Sequence, residues 1–239
     1  MTIEELANQP MSAEIAYIVG MTLPLYKEKT LGEKTYIIGS VNHNPNPKNA
    51  VLENPNVSLK YFSEAELADH FKIIKGLVNE NNLQILVRGN QSEYGSISTK
   101  RGFAILIEKG EKSTSDCKAI LRTLLDEISK SSKGIKSAFI KGCFDGRSSI
   151  DWGTDRNTGT RIIRYFAVDV ERDDELQKQI RDIAETIGLT LNINSRGEGH
   201  PKNDQIRIKQ GSFIAFERNV GFYSPFRSRQ LSYANGLCR

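Results

Sequence analysis

Apolar residues recur along the chain with two periods, that of an α-helix and that of a β-strand. In six segments they return every three or four residues, as Ile15, Ile18, Met21 and Leu25 do, which is typical of an amphipathic helix. In eight others, β-branched, aromatic and aliphatic residues form short runs or alternate with polar ones, which predicts strands. The predicted helices span residues 12–25, 63–81, 113–131, 134–146, 173–188 and 212–223. The predicted strands span residues 34–43, 57–62, 82–89, 101–109, 148–155, 160–172, 189–197 and 204–211.

The order of these elements repeats once along the chain. Each half is predicted to follow the order helix, strand, strand, helix, strand, strand, helix, although the two halves share little sequence. Strands outnumber the helices that connect them, which favours antiparallel hairpins with helices on one face. We therefore predict an α+β fold with tandem pseudo-twofold αββαββα repeats, divided into residues 1–130 and residues 131–239.

The composition of the chain is that of an ordinary globular protein and does not by itself indicate a function. The 239 residues are 38% hydrophobic and 26% charged, as in ordinary globular proteins, and no apolar run reaches the roughly 18 residues that predict a membrane span. The three cysteines are scattered and form no C-x-x-C pair, which favours a reducing compartment, the cytoplasm or an organelle. A net charge of +4 permits nucleic-acid binding without requiring it.

The segment FIKGCFDGRSSIDW, residues 139–152, carries the most specific motif. It resembles the second signature helix of the LAGLIDADG homing endonucleases, with Gly142 at the packing glycine, Phe144 in the core and Asp145 at the first acid. The segment YIVGMTLPLY occupies the place of the first signature, with Gly20 at its packing glycine. The C-terminal segment from residue 212 to 231 is also similar to that of the family, so that the resemblance covers nearly the whole chain.

The resemblance implies a geometry and a chemistry. In this family, two signature helices pack through their glycines at the pseudo-twofold axis, and two saddle-shaped antiparallel sheets lie in the DNA major groove. Acids at the two helix ends hold the divalent metal that activates water. Here the acidic positions of the first helix fall on Leu23 and Leu25, and the metal-binding position after Asp145 holds Arg147. Leucine offers no ligand and arginine repels Mg²⁺, so we predict no metal cofactor, with Mg²⁺ needed only if the protein is a nuclease.

Two residues of the second motif leave alternatives open. Asp145 is a candidate catalytic residue, but the pattern favours an ordinary role in which it satisfies backbone groups at a helix end. A displaced ligand that acts with Asp151 is the further alternative. Arg147 would lower repulsion with phosphate at the centre of a DNA cleft. It would also be an ordinary surface arginine paired with Asp145 or Asp151.

The predicted strands of the second half suggest a face that reads DNA. In the segment QIRIK, Ile206 and Ile208 point to one face while Gln205, Arg207 and Lys209 point to the other. Asparagine, glutamine and arginine are the side chains that pair with adenine and guanine edges. The predicted DNA-binding residues are Arg147, Arg156, Arg161, Arg164, Asn192, Asn194, Arg196, Lys202, Gln205, Arg207, Lys209, Asn42, Lys48 and Arg88. Arg161 and Arg164 would lie on opposite faces of an ideal strand, so one of them requires a bulge or an edge position.

The function expected from these residues is sequence-specific binding of double-stranded DNA by a monomer that lacks the metal-dependent cleavage of the family. Two alternatives remain. One is an active homing or restriction endonuclease with relocated acids such as Asp145, Asp151 or Glu14. The other is a maturase-like splicing factor that binds RNA.

Overall fold

Eight strands form the framework of the protein, seen in a computed structural model that describes residues 1–43, 64–88, 101–197 and 199–236. The strands are β1 Glu28–Leu31, β2 Lys34–His43, β3 Gln84–Arg88, β4 Arg101–Glu108, β5 Ser149–Thr154, β6 Arg161–Val170, β7 Asn192–Asn194 and β8 Asp204–Lys209. They pair in antiparallel fashion into a first sheet of order β1-β2-β4-β3 and a second sheet of order β5-β6-β8-β7. The second sheet thus repeats the topology of the first, as the repeated order of elements predicts.

Helices cover one face of the sheets. They are α1 Ile3–Ala7, α2 Ala13–Thr22, α3 Glu64–Glu80, α4 Thr114–Lys130, α5 Lys133–Arg147, α6 Asp174–Thr186, α7 Phe213–Asn219 and α8 Pro225–Gly236. Their starts follow local signals: the hydroxyl of Ser113 accepts from the backbone of Asp116 in a capping box, and the Asp173 carboxylate caps α6. The α+β prediction, with antiparallel sheets and helices on one face, is confirmed.

Helices α2 and α5 cross at the centre with their backbones in contact. A Cβ atom on Gly20 would lie 2.1 Å from the carbonyl oxygen of Phe139, and one on Gly142 would lie 2.1 Å from that of Tyr17. Any side chain larger than hydrogen would push the helices apart at either place. The predicted glycine-mediated helix pair is present.

One continuous apolar core joins the two halves. It includes Ile15 and Ile18 of α2, Phe139 of α5, and residues facing inward from both sheets, such as Ile105 and Phe166. The division at residues 130 and 131 falls between α4 and α5, but no separate core marks it. The two-domain division stays a prediction.

Four features differ from the predicted elements. Helix α1 and strand β1 were not predicted, because each is too short to show a period. Strand β7 covers three residues of the predicted segment 189–197. The segment 212–223 was predicted as the last helix, yet α7 ends at Asn219 and α8 follows. Helix α8 lacks an apolar stripe, since it buries polar residues such as Arg227 and Gln230. The predicted strand 57–62 lies outside the described residues.

Candidate nucleic-acid interface

The second sheet has an apolar face toward the helices and a polar face away from them, which we name its outer face. Because directly paired residues share a face, the pairs Tyr165 with Lys209, Ala167 with Arg207, and Asp169 with Gln205 define it. The alternate residues of the same strands, among them Phe166 and Ile206, are fully buried in the core. The outer face consists of Ser149, Asp151, Gly153, Ile162, Arg164, Tyr165, Ala167, Asp169, Asn192, Asn194, Gln205, Arg207 and Lys209.

Arg207 is held in place at the middle of the outer face. Its guanidinium carbon lies 4.2 Å from the centre of the Tyr165 ring, and its Nε and Nη2 donate to Oε1 of Gln205 at 3.3 and 3.0 Å. The Nε2 of Gln205 in turn donates to Oδ1 of Asp169 at 3.0 Å, which fixes the side on which the amide oxygen points. Among the described residues, no acceptor binds Nη1 of Arg207. The arrangement therefore presents one edge of an oriented guanidinium away from the protein, which is the geometry that guanine recognition requires.

The same contacts change the role expected of Gln205. Its amide oxygen and nitrogen both have partners within the sheet, and the side chain is buried. It orients Arg207 instead of offering a free amide to adenine. Asn192 and Asn194 lie beside Arg207 and Gln205 on β7 and are half-buried.

A β-bulge resolves the conflict between Arg161 and Arg164. The register of β5 and β6 shifts so that Asp151 pairs with Tyr165 and Trp152 with Ile163, which leaves Arg164 as the extra residue. Arg164 therefore lies on the outer face, exposed, with its Nε 2.6 Å from Oδ2 of Asp151.

Arg161 lies on the opposite face, toward the helices. It is two residues from buried Ile163, its guanidinium lies 4.9 Å from the centre of the Trp152 ring, and its carbonyl oxygen accepts from the hydroxyl of Tyr233 in α8 at 2.9 Å. Its position does not favour the DNA contact predicted from the sequence, whereas Arg164 is well placed for one.

The remaining predicted cations of the second half lie in the two loops that join its strands. Arg156 is exposed in the β5–β6 turn, where Oδ1 of Asp155 accepts from two backbone amides. Arg196 and Lys202 lie in the β7–β8 loop. That loop is tied down by Asp204, which accepts from the Arg196 amide at 2.9 Å, and by Arg172, which donates to the carbonyl of Lys202 at 2.7 Å.

The outer face of the first sheet is different in kind. The side chains of Tyr36, Ile38, Ala104 and Leu106 form a separate apolar cluster there, only 0 to 8% exposed, with Leu31 and Leu86 packed against it.

Four of the predicted DNA contacts have side chains outside the part of the chain that the structure describes. Lys48 lies outside the described residues, as do the side chains of Asn42, Arg88 and Arg147, whose backbones belong to β2, β3 and α5.

The ends of the two crossing helices hold no free carboxylate among the described side chains. Leu23 is buried in the core. Asp145 is also buried, and its oxygens accept from the hydroxyl of Tyr17 at 3.2 Å and from the amides of Tyr223 at 2.8 Å and Ser224 at 3.1 Å. These amides lead into α8, so Asp145 anchors the C-terminal helix to the end of α5.

Burial raises the pKa of Asp145 to about 6, although the two amides, Lys141 and Tyr17 stabilise the ionised form. The same environment raises the pKa of Tyr17, chiefly through burial. Near neutral pH the carboxylate is charged and accepts all three hydrogen bonds. A catalytic role for Asp145 stays a prediction, and its surroundings show a structural one.

Comparison with solved structures places this architecture among known folds. No family model matches the sequence, and no curated protein matches it. Among solved structures, the N-terminal LAGLIDADG domain of DUF199/WhiA aligns with a TM-score of 0.51 at 13% identity, covering 92% of this chain and 87% of that one. Mesophilic variants of the homing endonuclease I-DmoI align with a TM-score of 0.50 at 13% identity, covering 98% of this chain and 100% of that one. A complex of I-DmoI with DNA and Mn gives 0.45 at 13% identity, over 88% and 97% of the two chains.

The chain has the LAGLIDADG fold. Since the identity is low, the comparison concerns the architecture and not the activity. The glycine-mediated helix pair and the twin sheets are the parts of that fold already described.

The residues at the helix ends do not fit the metal that the LAGLIDADG resemblance implies. Leu23 has no ligand atom, and both oxygens of Asp145 already accept hydrogen bonds from within the fold. Asp151, a second candidate acid, is paired with Arg164. Glu14, the third, lies in the first turn of α2, at the opposite end from Leu23. In the described part of the chain, no three His, Cys, Asp or Glu side chains are grouped as a metal site.

The sequence did not lead us to predict two residues of the outer face of the second sheet, Tyr165 and Asp169. Their alternation with Phe166 and Val168 indicated that they share a face, but a tyrosine and an acid are not typical of a DNA-binding face.

No helix in the described ranges is long and apolar enough to cross a membrane.

Proposed function

We propose that this LAGLIDADG-fold protein binds double-stranded DNA in a sequence-specific manner, as a monomer, without metal-dependent cleavage. The observation that carries the proposal is the oriented guanidinium of Arg207 on the polar outer face of the second sheet. The fold is shared with I-DmoI, a homing endonuclease that has been solved with DNA.

Duplex DNA fits this outer face better than RNA does. A two-stranded ribbon enters the wide major groove of B-form DNA, whereas the major groove of A-form RNA is too narrow for side chains. Recognition of single-stranded RNA relies on aromatic rings that stack on bases. The ring of Tyr165 on this face already lies against Arg207.

The residues at the helix ends support the proposed absence of cleavage. Catalysis at this position requires hard oxygen ligands aimed at the scissile phosphate. Leu23 provides none, and Asp145 is committed to the amides of Tyr223 and Ser224. Redirecting Asp145 to a metal would leave those amides without their acceptor, which costs about 1–3 kcal/mol for each buried group.

Selection from a random duplex library, followed by incubation of the bound pool with Mg²⁺ or Mn²⁺, tests the proposal. We expect one enriched sequence that stays intact. A cut product would establish the nuclease alternative, and a stronger preference for a folded transcript at matched salt would establish the RNA alternative.

Arg207→Ala provides the residue-level test. If Arg207 reads guanine, the variant should lose about 1–3 kcal/mol of discrimination at one base pair. Arg181→Ala is the matched control, because Arg181 lies on α6, where it pairs with Glu185 in the same helix. It should leave both affinity and preferred sequence unchanged. An unaltered preferred sequence in Arg207→Ala would remove this residue from the reading face.

A further inference from the structure

The two sheets have the same topology but outer faces of opposite character. Strand order pairs β2 with β6 and β4 with β8 as counterparts. On the second sheet, the central outer positions of β6 and β8 hold Asp169 paired with Gln205, and Ala167 paired with Arg207. On the first sheet, the central outer positions of β2 and β4 hold Ile38 paired with Leu106, and Ser40 paired with Ala104.

The central outer positions of the first sheet are unsuited to reading base edges. Ile38 and Leu106 are 6% and 5% exposed, and Ala104 and Ser40 are 0% and 1% exposed. Recognition of a base needs donors and acceptors at the surface, and aliphatic side chains supply none. At the margin of the sheet, Lys34 is paired with Glu108 at 2.9 Å. Lys29 is exposed on the outer side of β1, across from Tyr36, and Gln84 is exposed on the outer side of β3, across from Leu106, so the polar groups of this face lie at its margin.

We infer that DNA recognition by this protein is one-sided: the second sheet reads bases, and the first sheet, whose outer face is apolar at its centre among the described residues, reads none there. The inference rests on the proposed DNA binding and specifies its target. Strand β6 has 10 residues. At about 3.3 Å per residue this length matches roughly ten base pairs of about 3.4 Å each. The target would therefore be a single block of about ten specified base pairs instead of two blocks on either side of a centre.

The decisive experiment maps base preference along the selected duplex. Each base pair of the enriched site is substituted in turn, and the duplex is then trimmed from each end while the dissociation constant is measured. We expect all sensitive positions within one block. Trimming on the other side should weaken binding by less than about tenfold, as lost phosphate contacts do. Two separated blocks of sensitive positions would overturn the inference, whichever residues supply the second one.

Paired variants assign the block to a sheet. Arg207→Ala should relax preference at a position inside the block, by about five- to 150-fold for a guanine contact. Lys29→Ala should weaken binding to all duplexes equally, without changing the preferred sequence, because a phosphate contact carries no sequence information. A changed preference in Lys29→Ala would overturn the one-sided inference while leaving DNA binding intact. Failure to enrich any duplex would refute the proposed function itself.

Discussion

Replacing Gly142 with alanine tests the contact on which the arrangement of the two halves depends. The added methyl group would lie 2.1 Å from the carbonyl oxygen of Tyr17 and 2.9 Å from its carbonyl carbon. The first distance is nearly an ångström below 3.0 Å, a separation that real Cβ atoms essentially never undercut. Both atoms belong to the backbone of α2. No side-chain rotation relieves the clash, so the helices must separate.

The size of the effect follows from two opposing contributions. Overpacking a rigid contact costs about 1–3 kcal/mol, and this site belongs at the upper end because backbone meets backbone. Alanine in place of glycine within a helix regains about 0.5–1 kcal/mol. We therefore expect Gly142→Ala to lower the free energy of unfolding by about 2 kcal/mol.

Gly76→Ala is the matched control. Gly76 lies in α3, and no atom lies within 4 Å of the position its Cβ would take. The same substitution should raise the free energy of unfolding there by about 0.5–1 kcal/mol. Urea unfolding followed by the fluorescence of Trp152, the single tryptophan, measures both variants. If Gly142→Ala is as stable as Gly76→Ala, the two helix backbones do not touch as described.

The remaining predictions concern two buried titratable groups and one outer-face acid. Burial raises the pKa of Asp145 to about 6, above its unfolded value near 4, so its protonated form is favoured in the fold. The free energy of unfolding of the wild type should therefore fall by on the order of 3 kcal/mol relative to that of Asp145→Asn as pH rises from about 4 to 6. A difference in unfolding free energy that does not vary with pH would contradict this. Burial lowers the pKa of His70 to about 3, so its neutral form is favoured in the fold and stability is lost as pH falls below about 6.5. His70→Phe should retain more of its stability between pH 6.5 and 4 than the wild type does, and parallel pH profiles would exclude His70 as a source of acid lability. Asp169→Asn should raise affinity for random duplex DNA by removing a negative charge, yet lower discrimination at the Arg207 base pair by about 1 kcal/mol, because an amide at this position can turn its donor as well as its acceptor toward Gln205 and so no longer fixes the orientation of the Gln205 amide. Competition binding with matched and single-substituted duplexes measures both effects, and unchanged discrimination would refute the orienting role.

Much of the framework was determined by local sequence. Helical periodicity and capping residues are properties of contiguous residues, so α4 and α6 were predictable from Ser113 and Asp173 onward. Gly20 and Gly142 stood at the packing positions of two signature-like helices, and the structure brings both into contact with the facing backbone. Alternation along β8 is enough to separate Ile206 and Ile208 from Arg207.

Tertiary structure decided which polar residues remain available to a partner. The bulge at Arg164 and the partners of Asp145 come from segments distant in sequence, and no local pattern reports them. Helix α8 was not predicted, because it packs on several sides and buries Arg227, so its sequence shows no single apolar stripe. The sequence did not predict the apolar outer face of the first sheet either. Alternation assigns residues to the two faces of a strand, but it does not predict what packs against each face. Periodicity is set by neighbours along the chain, whereas the environment of a side chain is set by neighbours in space.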